Sequence, residues 1–250
     1  MIGAAGQVGK SRAVQVIREI GQNALCKTTV LRQKSCQPQK KNKQNQQLTD
    51  CSSLSSVDWV VSLSANAAPV LLDLDGDGRI SYSTINGDIN VDGLVDKAHW
   101  VAGNDGILFH DKFADGQLHQ MDQYAFAQHG GNTDLEGLAI AFDGNKDGVF
   151  NAQDAAFEAF KVWQDLNQDG RVDGGELHSL LSLGISSIAL KSDGVERSPV
   201  AGVTEHGHSQ ATLANGGSLV VVDVSLDYQH GADLQAQAAE AERLKAAAVI

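Results

Sequence analysis

Oxygen-bearing side chains recur at alternate positions along this chain, and each run is followed by glycine. The fullest copy is Asp165-Leu-Asn167-Gln-Asp169-Gly170-Arg171-Val172-Asp173-Gly-Gly-Glu176. A hard cation such as Ca2+ takes about 6–8 oxygen ligands at roughly 2.3–2.6 Å. A tightly wound twelve-residue loop can aim positions 1, 3 and 5 at one such ion. Glycine at position 6 permits the sharp turn, position 7 gives a backbone carbonyl, and an acid at position 12 closes the site. This EF-hand-like spacing predicts Asp165, Asn167, Asp169, Asp173 and Glu176 as ligands, with the carbonyl of Arg171.

A second copy starts 22 residues earlier, with Asp143, Asn145, Asp147, the carbonyl of Val149, Asn151 and Asp154. The shorter acid at its twelfth position predicts one oxygen fewer and weaker or less selective binding. A third copy offers Asp73, Asp75, Asp77 and the carbonyl of Arg79, but its twelfth residue is Thr84, a poor ligand. The missing donor is expected from Asp88, Asp92 or Asp96, which also begin a fourth, weaker run ending at His99. A fifth run, from Asp111, has Phe113 where a ligand belongs and is not expected to hold a metal. Carboxylates converging on one point repel one another without a cation. The metal-free domain is therefore expected to be loose and to tighten on Ca2+, the cofactor this spacing predicts.

Charge divides the chain. The 250 residues carry a net charge of -12. Residues 1–60 hold nine Lys/Arg and three acids, whereas residues 61–250 hold ten and 28. All three cysteines, Cys26, Cys36 and Cys51, lie in the basic part and none shows CxxC spacing, so neither a disulfide framework nor a zinc site follows. Residues 1–60 read as a helix followed by a Gln/Lys/Asn-rich linker that cannot bury enough apolar surface to order itself. Residues 61–229 read as an acidic calcium-binding module, and 230–250 as an Ala-rich helix. The acidic balance argues against nucleic acid as a partner. No apolar run is long enough for a membrane span, and no standard signal peptide opens the chain. Gly3, Gly6, Gly9, Lys10 and Ser11 fail the phosphate-loop spacing, because Ala4 stands where glycine is required.

Short elements must position the loops. Residues 69–75, 107–111 and 184–190 read as strands, and Asn215-Gly216-Gly217 marks a hairpin. Residues 134–142 and 176–184 read as helices. A helix is also predicted over 152–164, because Phe157, Phe160 and Trp163 recur every three residues. That helix would leave the second loop and enter the best one, with Phe150 and Val172 pairing as short strands. The predicted fold class is α+β: a small mixed domain with short strands, hairpins and an EF-hand-like helix-loop-helix pair sharing one helix. Glu205-His206-Gly207-His208 reads as a solvated loop. No nucleophile set is assigned and no enzymatic activity is expected.

Pro69-Val-Leu-Leu-Asp-Leu-Asp-Gly-Asp-Gly78, then Trp100-Val-x-x-x-Asp105-Gly106, Val162-Trp-Gln-Asp-Leu-Asn-Gln-Asp-Gly170 and Leu183-Gly-Ile-x-Ser-Ile-x-Leu190 follow one another in a familiar order. Over roughly residues 69–227 the chain resembles the calcium-dependent self-processing module of iron-regulated RTX proteins and related Gram-negative adhesins and toxins. The resemblance implies a secreted or cell-surface location. It implies calcium ions as partners, together with other domains of a larger protein or a cell-surface partner. It further implies calcium-triggered cleavage of an Asp-Pro bond at the module's edge. Pro69 matches that proline, but Ala68 stands in place of the aspartate whose carboxyl would attack its own carbonyl carbon. The cleavage is therefore expected to be absent.

Overall fold

A computed structural model describes residues 64–247 of the chain. They belong to one of the two units into which the chain divides, Val57–Ile250. The basic segment expected at 1–60, with its cysteines, lies outside the described residues.

The fold is mostly β, which corrects the expected α+β class. Eleven strands form one antiparallel sheet curled as a half-barrel. They are β1 (Ser64–Ala67), β2 (Val70–Leu72), β3 (Tyr82–Gly87), β4 (Asp96–Val101), β5 (Gly106–His110), β6 (Val149–Asn151), β7 (Phe160–Trp163), β8 (Leu177–Ser179), β9 (Ile185–Ala189), β10 (Val203–Leu213) and β11 (Ser218–Gln229). The α-helices are α1 (Asp134–Phe142) and α2 (Gly231–Ala247). The main path runs β6-β9-β10-β11-β2-β5-β7-β8; β1 and β4 also pair with β11, and β3 pairs with β4.

The central strands are apolar at nearly every position because the sheet is covered on both sides. Successive side chains point to opposite faces. On β5, Ile107 and Phe109 enter a core with Trp100, Trp163 and Tyr124, while Leu108 enters a second core with Phe126, Phe150, Phe157 and Phe160. This two-sided burial explains why the helix predicted over 152–164 is absent. Phe157 lies in a single 3-10 turn, and Phe160 and Trp163 lie on β7, one facing each core. A three-residue apolar spacing fits a helix face, but it fits a doubly buried strand equally well. Pairing with β5 and β8 decides between them.

No helix-loop-helix pair occurs among the described residues. Most of the acidic loops join strand to strand; the run from Asp143 leaves α1 and enters β6. Phe150 pairs with Ile188 rather than Val172, and the two residues sit in different cores. Residues 176–184 form β8 and a 3-10 turn closed by Gly184 in the left-handed region, not a helix. The hairpin stands: β10 and β11 are joined across Ala214–Gly217, with Gly216 at φ 86°.

The sheet also holds both helices. Asp223 on β11 accepts the N–H groups of Asp134 (3.2 Å) and Leu135 (2.9 Å), capping the α1 N-terminus beside Thr133. Asp134 in turn accepts from Ala127 N–H with one oxygen. Its other oxygen is buried without a hydrogen-bond partner. Helix α2 is exposed from Gln235 onward; its first residue, Gly231, is buried, and its N–H donates to buried Asp96 at 2.8 Å.

Strands β1 and β2 share a single register against β11. Ala67 faces Leu226 and Val70 faces Asp223, so Ala68 and Pro69 stand where the same strand would continue. Pro69 has no N–H to give the ladder, but its carbonyl accepts from Val224 N–H at 3.2 Å.

Candidate functional site

All five acidic runs adopt the same winding. The carboxylate of position 1 accepts the N–H of the glycine at position 6: Asp73 from Gly78 (2.8 Å), Asp88 from Gly93 (2.9 Å), Asp111 from Gly116 (3.1 Å), Asp143 from Gly148 (2.9 Å) and Asp165 from Gly170 (3.0 Å). The carboxylate of position 5 accepts the N–H of position 7, as in Asp77 from Arg79 and Asp169 from Arg171. Position 4 takes a left-handed backbone each time, at Gly76, Val91, Ala114, Lys146 and Gln168. That conformation is costly for a β-branched residue such as Val91. The run from Asp111, from which no metal site was expected, shares this winding. Its third residue, Phe113, still offers no oxygen, and its last, Asp122, is held by Lys112 at 2.7 Å.

The run 165–176 is the most deeply set. Asp165 is fully buried and Glu176 nearly so. Trp100 Nε1 donates to Asp165 Oδ2 at 2.9 Å, and Trp163 Nε1 to Glu176 Oε2 at 3.4 Å. Glu176 reaches back across its loop to accept Leu166 N–H and Asp173 N–H, each at 3.0 Å. Burial, and then the charge of Glu176 beside it, hold the Asp165 carboxyl above the usual carboxylate range. Asn167 accepts from Asp169 N–H and donates to Asp169 and Asp173. The loop is seated on the β3–β4 hairpin: Gln168 donates to Val101 O and is hydrogen-bonded by Ser83. A Cβ on Gly87 would lie 2.4 Å from Asp169 O.

In 143–154 the position-12 acid behaves in the same way. Asp154 accepts Gly144 N–H (2.9 Å) and Asn151 N–H (3.0 Å). Asn145 donates to Asp147 and Gln153, Val149 and Asn151 lie on β6, and the Asn151 amide oxygen accepts from Gln153 N–H.

In 73–84, ligand oxygens of Asp73, Asp75 and Asp77 all lie within 4.8 Å of one another, the closest such acid group among the described residues. Arg79 pairs with Asp77 at 2.9 Å. Thr84 sits on β3 and is exposed. Asp88, Asp92 and Asp96, expected to supply the missing donor, have other partners. Asp88 accepts from Asp92 and Gly93, Asp92 from Leu94, and Asp96 from Gly231. The carboxylate against this loop is Asp105, from the β4–β5 turn. Burial pushes it up to about 6. Its neighbour Asn104 donates to Asp75 at 2.5 Å, which holds that carboxyl below its usual range. The sequence signal for Asp105 was an Asp-Gly pair just before an apolar run, which says turn and nothing of what the turn touches.

A second polar group lies on a strand rather than in the solvated loop its sequence predicts. Glu205, His206 and His208 lie on β10, where buried Glu205 accepts from Tyr82 OH at 2.7 Å and contacts His208 at 2.8 Å. Desolvation raises the Tyr82 hydroxyl far above its ordinary range.

The chemistry of the loops is uniform. Their donors are carboxylate, amide and carbonyl oxygens, the set a hard cation prefers. Asp73, Asp143, Asp154, Asp165 and Glu176 are all buried, and none forms an ion pair among the described residues.

A mostly-β domain carrying a series of acidic inter-strand loops is the class this fold and site define. The chain belongs to the SPM domain family, whose model matches residues 70–227. It is 32% identical over 198 residues to the iron-regulated protein FrpA of Neisseria meningitidis serogroup C. That match covers 70% of this chain but 17% of the relative, so the chain spans about a sixth of that protein's length. Among the described residues, no helix is long and apolar enough to cross a membrane.

Proposed function

We propose that residues 64–247 form a calcium-binding structural module of a secreted or cell-surface protein of the RTX type. Its ions would lock the loops between strands. One observation carries this reading: Asp165 and Glu176 are buried in one loop, ringed by N–H donors, with no ion pair to a cationic side chain among the described residues. Desolvating a carboxylate costs several kcal/mol unless it is paired or ligates a metal. A divalent cation supplies that balance, and all-oxygen donors at alternate positions favour Ca2+ over Zn2+. Sequence likeness to FrpA, an iron-regulated protein, supports placing the module in an exported protein. Calcium outside the cell would fill even weak loops of this kind.

The reading is structural rather than autocatalytic. Ala68 has no carboxyl to attack the bond before Pro69, and that bond lies along the line of a strand paired with β11.

The test is calorimetric titration of the metal-stripped chain with Ca2+, with Mg2+ as control. Circular dichroism and a denaturing gel would follow in parallel. Two or more bound ions, a rise in melting temperature and an intact band are expected. Ligand at about 100 times its Kd adds about 2.7 kcal/mol per site. Absence of binding overturns the calcium reading. Two fragments overturn the structural one.

A further inference from the structure

We infer that Asp105 is the twelfth-position donor of the loop 73–84, supplied from outside that loop. This rests on the calcium reading above and extends it to a residue that the loop's own spacing does not contain.

The argument is a comparison within the chain. In 165–176, Glu176 holds the N–H of position 2 (Leu166) with one oxygen and the N–H of position 9 (Asp173) with the other, both at 3.0 Å. In 143–154, Asp154 does the same to Gly144 and Asn151, at 2.9 and 3.0 Å. In 73–84 the equivalent positions are Leu74 and Ser81. Their N–H groups donate to Asp105 Oδ1 at 3.2 Å and Asp105 Oδ2 at 2.8 Å. Three carboxylates thus occupy one place relative to three loops with the same winding. Two reach it from position 12 and the third from another stretch of chain.

The placement is firm. Asp105 N–H donates to Ala102 O (3.0 Å), and Ala102 N–H to Ser81 O (2.8 Å), which ties the β4–β5 turn to the end of the loop. The side chain is fully buried beside Asp73 and Asp75 and forms no ion pair among the described residues. The charges of Asp75 and Asp73 act on it, whereas no Lys or Arg pairs with it among the described residues. Position 12 itself can then be Thr84, free to serve as a strand residue of β3. A cation bound there would join two separated segments, the β2–β3 connection and the β4–β5 turn.

The test is calcium calorimetry on the full chain with Asp105→Asn, Asp73→Asn and the double variant. The isostere keeps an acceptor for one of the two N–H groups. Each single change is expected to weaken one site at least tenfold while leaving the others. The double variant should weaken that same site further and leave every other site untouched, because both changes strike the same ion. An Asp105→Asn isotherm identical to wild type overturns the inference, and a wild-type chain that binds nothing overturns the calcium reading instead. Should Asp105→Asn fail to fold, the unmodified protein answers the question. Its Asp105 carboxyl carbon resonance should shift during titration with the same saturation as Asp73. A resonance that stays still while Asp73 shifts overturns the inference.

Discussion

The indole Nε1 of Trp100 donates to Oδ2 of Asp165 at 2.9 Å inside the core, so the first residue of the deepest loop is fixed by one of the sheet's two fully buried tryptophans. Trp100 also meets Trp163 edge to face at 5.6 Å, and Trp163 reaches Glu176. Replacing Trp100 with Phe removes a hydrogen bond to a charged group, worth about 1.5–3 kcal/mol. The variant should lose at least that much stability in urea unfolding. Indole fluorescence of the wild type should change on Ca2+ addition, with a smaller response in the variant.

Glu176→Gln keeps the shape of the loop's closing residue and removes its charge. Calcium affinity at this loop should fall at least tenfold, about 1.4 kcal/mol, as read by calorimetry. The loops closed by Asp154 and Asp105 should be unchanged.

Gly87→Ala tests the seat of that loop. The new methyl would stand 2.4 Å from Asp169 O, a backbone atom that cannot swing aside. Overpacking of this kind costs about 1–3 kcal/mol. Lower thermal stability together with weaker calcium binding is expected, although Gly87 contributes no ligand.

Asp134 gives the pH dependence. Burial holds its carboxyl well above the usual range, and the charge of Asp223 adds to this. The folded state therefore keeps a proton that the unfolded chain releases. This contribution to stability is full below the ordinary carboxylate range and is lost as pH rises towards the folded value. Asp134→Asn cannot ionise. The difference in urea midpoint between variant and wild type should grow in the variant's favour from about pH 4 to pH 8.

Ala68→Asp supplies the carboxyl that the self-processing reaction of similar modules requires. Calcium should then produce two fragments on a gel, with the smaller ending at residue 68 by mass spectrometry. An intact variant would show that the junction's geometry, and not only its missing side chain, prevents cleavage.

The loops were legible from residue type because their physics is local. Alternate oxygens and a glycine at position 6 specify a winding whatever surrounds it, and all five runs wind alike. The hairpin at Asn215-Gly216-Gly217 and helix α1 were legible for the same reason. The flanking elements were not. Phe157, Phe160 and Trp163 fit a helical stripe, and only pairing with β5 and β8 makes their neighbourhood a strand. Glu205 and Asp105 escaped because their partners, Tyr82, Leu74 and Ser81, are distant in sequence and meet them only after the sheet has formed.

Strand β11 pairs with β1, β2, β4 and β10, so its amides and carbonyls are engaged along much of both edges. No local opening can free the middle of such a strand without parting several neighbours at once. Hydrogen exchange at Val221, Val222 and Val224 should therefore proceed only through global unfolding. The slowest-exchanging amides of this one strand then report the stability of the whole sheet, whereas amides in the acidic loops report local opening.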